Sequence, residues 1–327
     1  MGFFGKKEEL DASSENRDWE LVSIMAQASL IEQKRARRWG IFFKLFACVY
    51  VVVILVGIFQ QSSAGGYSAT EEHTAVVYLD GVIAVDQAAN AADLVSSLRA
   101  AFANEYSKAI ILAINSPGGS PVQSAYIYDE IKRLRSLHVD KKLYAVISDL
   151  GASGGYYVAA AADEIYANKS SLVGSIGVTA SSFGFVDLMA KLGVERRHYT
   201  SGEHKGFLDP FSPQNQEEKV FWESVLQSTH QQFIDAVEAG RGERLVKEEK
   251  LYSGLVWNGE QALEKGLIDG LGSAGYVARE IIKQEKVFDY TVRPSLFEEF
   301  SKKFGVAVGK GVGLALDTAL NSTVQLR

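Results

Sequence analysis

Between Trp39 and Phe59 the chain carries one charge, Lys44, in a run of 21 residues that is otherwise uncharged and largely apolar. Roughly 20 apolar residues are what a helix needs to cross a bilayer, and a soluble core helix so uniformly apolar is unusual. The run therefore predicts a transmembrane helix over residues 38–60. Lys44 lies near its amino-terminal end, where the alkyl stem can carry the ammonium back to the interface. "KRARR", Lys34 to Arg38, precedes the run, and after it no Lys or Arg appears until Arg99. Positive-inside logic then puts residues 1–37 in the cytoplasm and everything after residue 60 outside. A cleaved leader ending near "SSA", Ser62 to Ala64, is the rival reading. It would be about twice the usual length, with too long an apolar core, so an uncleaved anchor is expected.

The 327 residues suffice for one or two domains with real cores, and 47 % hydrophobic with 23 % charged residues reads as globular. A net charge of −6 gives no support to a nucleic-acid partner. The single cysteine, Cys48, falls inside the apolar run. No disulfide can form within the chain, and no Cys/His spacing resembles a zinc site.

Residues 61–72, "QSSAGGYSATEE", read as a small, polar linker. A folded domain is expected over 73–290, followed by a peripheral tail over 291–327. Within the domain, strands and helices alternate. "HTAVVYLDGVIA" predicts a strand, a turn at Asp80–Gly81 and a second strand. "KAIILAINSPGG" and "KLYAVISDL" are short apolar strands, each running into a Gly-rich loop. "SPVQSAYIYDEIKRLRSL" predicts an amphipathic helix with Val122, Ala125, Tyr126, Tyr128, Ile131, Leu134 and Leu137 largely on one side. Glu217 to Ala239 reads as a long helix, and Gly259 to Lys265 as a short one. The alternation argues an α/β domain whose parallel strands are buried on both faces.

Two loops attract chemistry: "NSPGGS" after Ile114 and "LGASGG" after Ser148. Ligands in open α/β folds bind at the carboxyl ends of strands, and glycine there lets backbone N–H groups approach without a side chain in the way. Ser153 would sit where a helix begins. The commonest use of such a serine is as an N-cap. "GASGG" also fits the G-x-S-x-G nucleophile elbow, a short pattern that is weak alone.

Five blocks occur in order: "INSPGGS", "GASGGYYVAAAADEIYA", "LVGSIGV", "TSGEHKGFLDPFSP" and "NGEQALEKGLIDGLG". Together, over Thr74 to Gly272, they resemble the signal peptide peptidase A family of membrane-anchored serine peptidases. The resemblance implies the α/β fold of the Clp protease subunit and the crotonases, a spiral of β-β-α units. It also implies a Ser-Lys dyad. Ser153 matches the nucleophile, Lys205 the general base and Ser175 the serine that hydrogen-bonds the lysine. Gly119 matches the oxyanion loop, although Gly118 is an open alternative there, and the N–H of Gly154 would be the second donor. Substrates would be remnant signal peptides and other membrane-associated peptides. No metal and no organic cofactor is required. The implied setting is a bacterial plasma membrane, with the catalytic domain outside the cytoplasm. Relatives with one catalytic domain per chain form homo-oligomeric rings, in which the serine and lysine of one site can come from neighbouring subunits.

The chemistry is coherent. A serine hydroxyl is a poor nucleophile until a base takes its proton. An ordinary lysine ammonium keeps its proton at neutral pH, but an apolar pocket disfavours the charge, and Phe207, Leu208, Pro210 and Phe211 offer apolar material beside Lys205. A histidine base is the main rival: His204, or His230 in a hydrolase order with Asp187 or Asp209. His230 falls inside the long helix, a poor place for a loop-borne base. A crotonase-type acyl-CoA enzyme and a silent scaffold are the remaining classes. An outward-facing domain argues against cytosolic CoA, and the presence of both Ser153 and Lys205 argues against a scaffold. Tyr156, Tyr157 and Phe183 are expected mainly to pack in the core.

Overall fold

Apolar β-rich runs bounded by Gly-containing loops form a parallel sheet because both of their faces must be covered. A computed structural model of the chain describes residues 31–54, 70–246 and 248–293. The chain divides into two units, Met1–Tyr67 with Ser295–Arg327, and Ser68–Pro294. In the first, residues 31–54 form helix α1 with nearly every side chain exposed. Residues 55–60 of the anticipated span lie outside the described residues. So do most of the cytoplasmic segment and linker, and the tail from residue 294. Among the described residues no helix is long and apolar enough to cross a membrane, so the anticipated span is not supported there.

The second unit is built on β1 (His73–Asp80), β2 (Ser107–Ser116), β3 (Leu143–Ala152), β4 (Glu164–Ala167), β5 (Leu172–Gly174), β6 (Val256–Asn258), β7 (Gly270–Leu271) and β8 (Val287–Asp289). The order is β6-β5-β3-β2-β1-β8, with β4 pairing β3 and β7. All pairs are parallel except β5 with β6, so the sheet is mixed. Strand β3 forks the sheet. Tyr144–Ile147 pair with β4, while Leu150–Ala152, beyond a register shift against β2, pair with β5. The fork carries the carboxyl end of β3 out to a second set of neighbours, and the site is built there.

The second strand expected after Asp80–Gly81 does not form. Ile83 makes only isolated bridges, to Ala89 and Gly119. Its N–H donates to Gly118 O (2.9 Å) and its carbonyl accepts from Ser120 N (2.8 Å). The segment thus pins the Gly-rich loop after β2 instead of extending a hairpin.

Helices α2 (Ala91–Ala103) and α3 (Pro121–Leu137) cover one face, with Asn90 and Ser120 as side-chain N-caps. On α3 the buried residues are Ser124, Ile127, Tyr128, Glu130, Ile131 and Leu134. Val122 and Tyr126 are exposed instead, a correction to the expected stripe. The core takes the face centred on Ile127, Ile131 and Leu134, and the Val122/Tyr126 face is left for the site. After the short α4 (Gly154–Ala159) and α5 (Val186–Leu192), helix α6 (Gln216–Arg241) runs 26 residues. Its end is fixed by Arg241, whose side chain is 1 % exposed and donates to both oxygens of Asp269 at 2.7 and 3.0 Å. Burial pushes the Asp269 carboxyl upward. The hydrogen bonds and charge of Arg241, the Ile165 N–H and Arg244 outweigh it and hold the group below its ordinary range. Helix α7 (Gly259–Glu264) carries a capping box from Asn258 and Gln261, and α8 (Ala274–Tyr276) runs into a π-turn, Val277–Ile281.

Residues 181–215 differ from the rest. α5 buries none of its residues, and Phe183 and Tyr199 are 79 % and 87 % exposed. Tyr156 packs in the core as expected and Tyr157 is partly buried against it, but Phe183 does not. The segment loops out from the sheet and has no core of its own to enter.

Candidate active site

Ser153 links the end of β3 to the start of α4 in a sharp turn, with φ +52° and ψ −125°. A non-glycine residue held there costs about 1–3 kcal/mol, strain that structures keep mainly at functional sites. Its N–H donates to Gly174 O at 2.8 Å, which ties the turn to β5. Its hydroxyl makes no capping bond, so the N-cap reading does not hold. The side chain is presented at a strand-to-helix elbow.

Glycines let the neighbouring backbone close in. A Cβ on Gly155 would stand 2.9 Å from Ser116 O, and one on Gly118 would stand 2.6 Å from Gly154 N. Gly118 N–H donates to the buried Ser116 Oγ at 3.1 Å. Gly119 N–H and Gly154 N–H have no partner among the described residues. They lie side by side, since a Cβ built on Gly154 would be 3.3 Å from Gly119 N. Of the two loop glycines, then, it is Gly119 whose N–H is free, because Ser116 occupies that of Gly118. Two free N–H groups beside a strained serine can hold a developing oxyanion.

Two clefts meet at this point. One, of about 280 Å³, contains Ser153, Gly119 and Gly154 and is walled by Val122, Ala125, Tyr126, Tyr157, Val178 and Phe233. The other, of about 570 Å³, contains Ser153, Gly119, Ser175, His230 and Tyr252. Ser175 therefore shares a cleft with Ser153. It too has positive φ, +54°, and its N–H donates to Leu255 O at 2.8 Å. The next carbonyl, that of Ile176, accepts from Gly254 N and from His230 Nε2, both at 3.1 Å. A carbonyl can only accept, so Nε2 of His230 carries the proton.

His230 lies in the long helix, as expected, but sequence reasoning gave no sign of where its side chain goes. From there it reaches the cleft. The Ile176 contact spans 54 positions, and no local pattern announces it. With Nε2 committed to Ile176, and no carboxylate bonded to the ring among the described residues, it is not arranged as a triad base. His204 is exposed, with Glu218 3.3 Å from its Nδ1.

Lys205 stands apart. It lies in the turns of residues 201–208, is exposed, and lines neither cleft. The apolar neighbours expected to bury it do not do so within one chain: Leu208 and Phe211 are 45 % and 40 % exposed. The loop is nonetheless anchored. The Asp209 side chain, 7 % exposed, pairs with Arg196, accepts from Ser212 Oγ at 2.8 Å, and lies 3.5 Å from His198 Nδ1. One chain thus brings together Ser153, Ser175, Gly119 and Gly154, and holds Lys205 on a separate exposed lobe.

A forked α/β sheet with a serine elbow facing two free N–H groups is the architecture of the Clp protease-like class. The family model for Clp protease matches residues 70–171 and that for peptidase family S49 matches residues 135–288. The chain belongs to the signal peptide peptidase A family. It is 36 % identical over 186 residues to a putative signal peptide peptidase SppA of Enterococcus faecium, covering 57 % of this chain and 53 % of that protein. It is 30 % identical over 215 residues to the putative protease MJ0651 of Methanocaldococcus jannaschii, covering 64 % and 68 %. A Brucella melitensis protein named Na(+)/H(+) antiporter NhaA is 42 % identical over 223 residues, 67 % of this chain but 30 % of its own length. The chain thus spans under a third of that relative and about half of the Enterococcus protein.

Proposed function

We propose that the chain is a membrane-anchored serine endopeptidase acting on remnant signal peptides and other membrane-associated peptides outside the cytoplasm. The single observation that carries this reading is the strained Ser153 beside the N–H groups of Gly119 and Gly154, which have no partner among the described residues. Ser153 Oγ attacks the scissile carbonyl carbon while a base takes its proton. The carbonyl oxygen becomes an oxyanion between the two N–H groups, each worth about 3 kcal/mol to the transition state. Collapse expels the amine, which receives the proton from the base. Water, deprotonated by the same base, then cleaves the acyl-enzyme and restores Ser153.

The base in this reading is the neutral amine of Lys205, oriented by the Ser175 hydroxyl. Because Lys205 is exposed in the single chain, it serves the Ser153 of a neighbouring copy in a homo-oligomeric ring. The exposed apolar side chains of residues 181–215 would then be covered by that neighbour, and covering them would supply the desolvation a neutral lysine needs. The catalytic domain is residues 73–290. The membrane anchor rests on the apolar run 39–59, with residues 1–37 cytoplasmic.

Peptide hydrolysis by wild type, Ser153→Ala and Lys205→Ala tests the dyad: each single variant loses activity, and the two mixed before assembly recover part of it. Full activity in both variants would remove the dyad. No recovery in stable mixed rings would place both residues of each site in one subunit.

A further inference from the structure

The smaller cleft at Ser153 ends in a charge that the reaction does not use. Val122, Ala125, Tyr126 and Asp129 line it from α3. Their spacing of i, i+3, i+4 and i+7 makes one stripe along the helix. The stripe runs about 10 Å from the end beside Gly119 to Asp129. The facing walls are Tyr157 and Phe233, whose rings lie 4.9 Å apart at a tilt of 37°. Asp129 is the one charged residue that lines the cleft. It stands at the exposed end and makes no hydrogen bond or ion pair with the described residues. Burial first, and then the charges of Asp129 and of Asp235 on α6, hold the Tyr157 hydroxyl above its ordinary range.

A peptide whose carbonyl sits between Gly119 and Gly154 carries the side chain of that same residue on the adjoining Cα, at the mouth of this cleft. An aliphatic stem would lie along Val122, Ala125, Tyr126 and Phe233. Its tip would reach an unpaired carboxylate with no competing cation among the lining residues. We propose that Asp129 is a specificity-determining residue, and that the cleft takes a long side chain ending in a cation, lysine or arginine, on the acyl side of the scissile bond. A carboxylate at the end of an apolar slot selects basic residues in other serine proteases by the same physics. Here the exposed position keeps the effect modest, because solvent screens the pair. The inference rests on the peptidase reading above and assigns it a substrate class.

The test uses the full chain in detergent and two peptides that differ at one position, lysine against norleucine, its uncharged analogue. Wild type should cleave the lysine peptide with a kcat/KM about fivefold higher at low salt, a ratio that shrinks as salt rises. In Asp129→Asn the ratio should fall to about one, and in Asp129→Lys it should invert, with thermal unfolding confirming that both variants fold. Cleavage that depends on Ser153 but shows no preference for lysine in wild type, or keeps that preference in Asp129→Asn, would overturn the assignment and leave the peptidase reading standing. Turnover in Ser153→Ala equal to wild type would bring down both.

Discussion

Replacing Gly118 by alanine separates backbone strain from the geometry of the two N–H groups. Gly118 has φ +96°, and an added Cβ would stand 2.6 Å from Gly154 N, 2.7 Å from Ser153 Cβ and 2.9 Å from Ala152 O. None of these atoms is the end of a flexible side chain. The dihedral costs about 1–3 kcal/mol for a residue with a Cβ, and overpacking adds about 1–3 kcal/mol. If the loop holds its place, the cost of roughly 2–6 kcal/mol appears in stability. For a domain of this size that is a fall in Tm of about 5–20 °C. If the loop yields instead, Gly119 N–H moves off the oxyanion position, and losing one such donor lowers kcat by about 10²–10³. Gly81→Ala is the control, since Gly81 has φ +89° with nothing within 4 Å of a built Cβ. It bears the dihedral cost without the clash, and acylation should stay near wild type. Thermal unfolding and the rate of Ser153 labelling by a fluorophosphonate read the two effects. A Gly118→Ala protein with Tm within about 2 °C of wild type and labelling within about threefold would refute the reasoning.

Two further outcomes are expected. His230→Leu removes one of two donors to Ile176 O, so the Ser175 turn should loosen and kcat fall about five- to tenfold with little change in KM, while His230→Gln, which keeps a donor, should recover much of the loss; equal losses in both variants would show that the hydrogen bond is not what matters. Glu130 accepts from Arg133 and Arg99 at 2.6–2.8 Å, and their hydrogen bonds hold its carboxyl down at about 2. A depressed carboxyl contributes stability above its unfolded value, near pH 4.5, and loses it as pH falls toward 2. Because both arginines are about half exposed, the contribution is on the order of 1–2 kcal/mol, and Glu130→Gln should flatten the stability curve across that window in acid-unfolding titrations.

Much of the fold is legible in the sequence because it is written in short-range pattern. The apolar runs of β1, β2 and β3, the caps Asn90 and Ser120, and the glycines at the strand ends each act within a few residues. The ordered blocks around Ser153, Ser175 and Lys205 likewise carry the family. What the sequence misplaced are contacts made across the chain. Ile83 appeared to belong to a hairpin strand, but its amide and carbonyl are spent on the Gly118–Ser120 loop. Val122 and Tyr126 fit an amphipathic stripe, yet the core claims the face of Ile127 and Ile131 and leaves them to line a cleft. Periodicity gives a helix two candidate apolar faces and does not say which neighbour arrives first.

By itself, then, the sequence determined the α/β alternation, the strand-end glycines and the serine between them, because these depend on backbone sterics and local burial. Tertiary structure alone decided that Gly119 rather than Gly118 keeps a free N–H, that His230 reaches the Ser175 turn, and that Lys205 stays exposed on its own lobe. Each of these depends on which hydrogen-bond partner or apolar surface lies opposite, and that is settled only when distant segments meet.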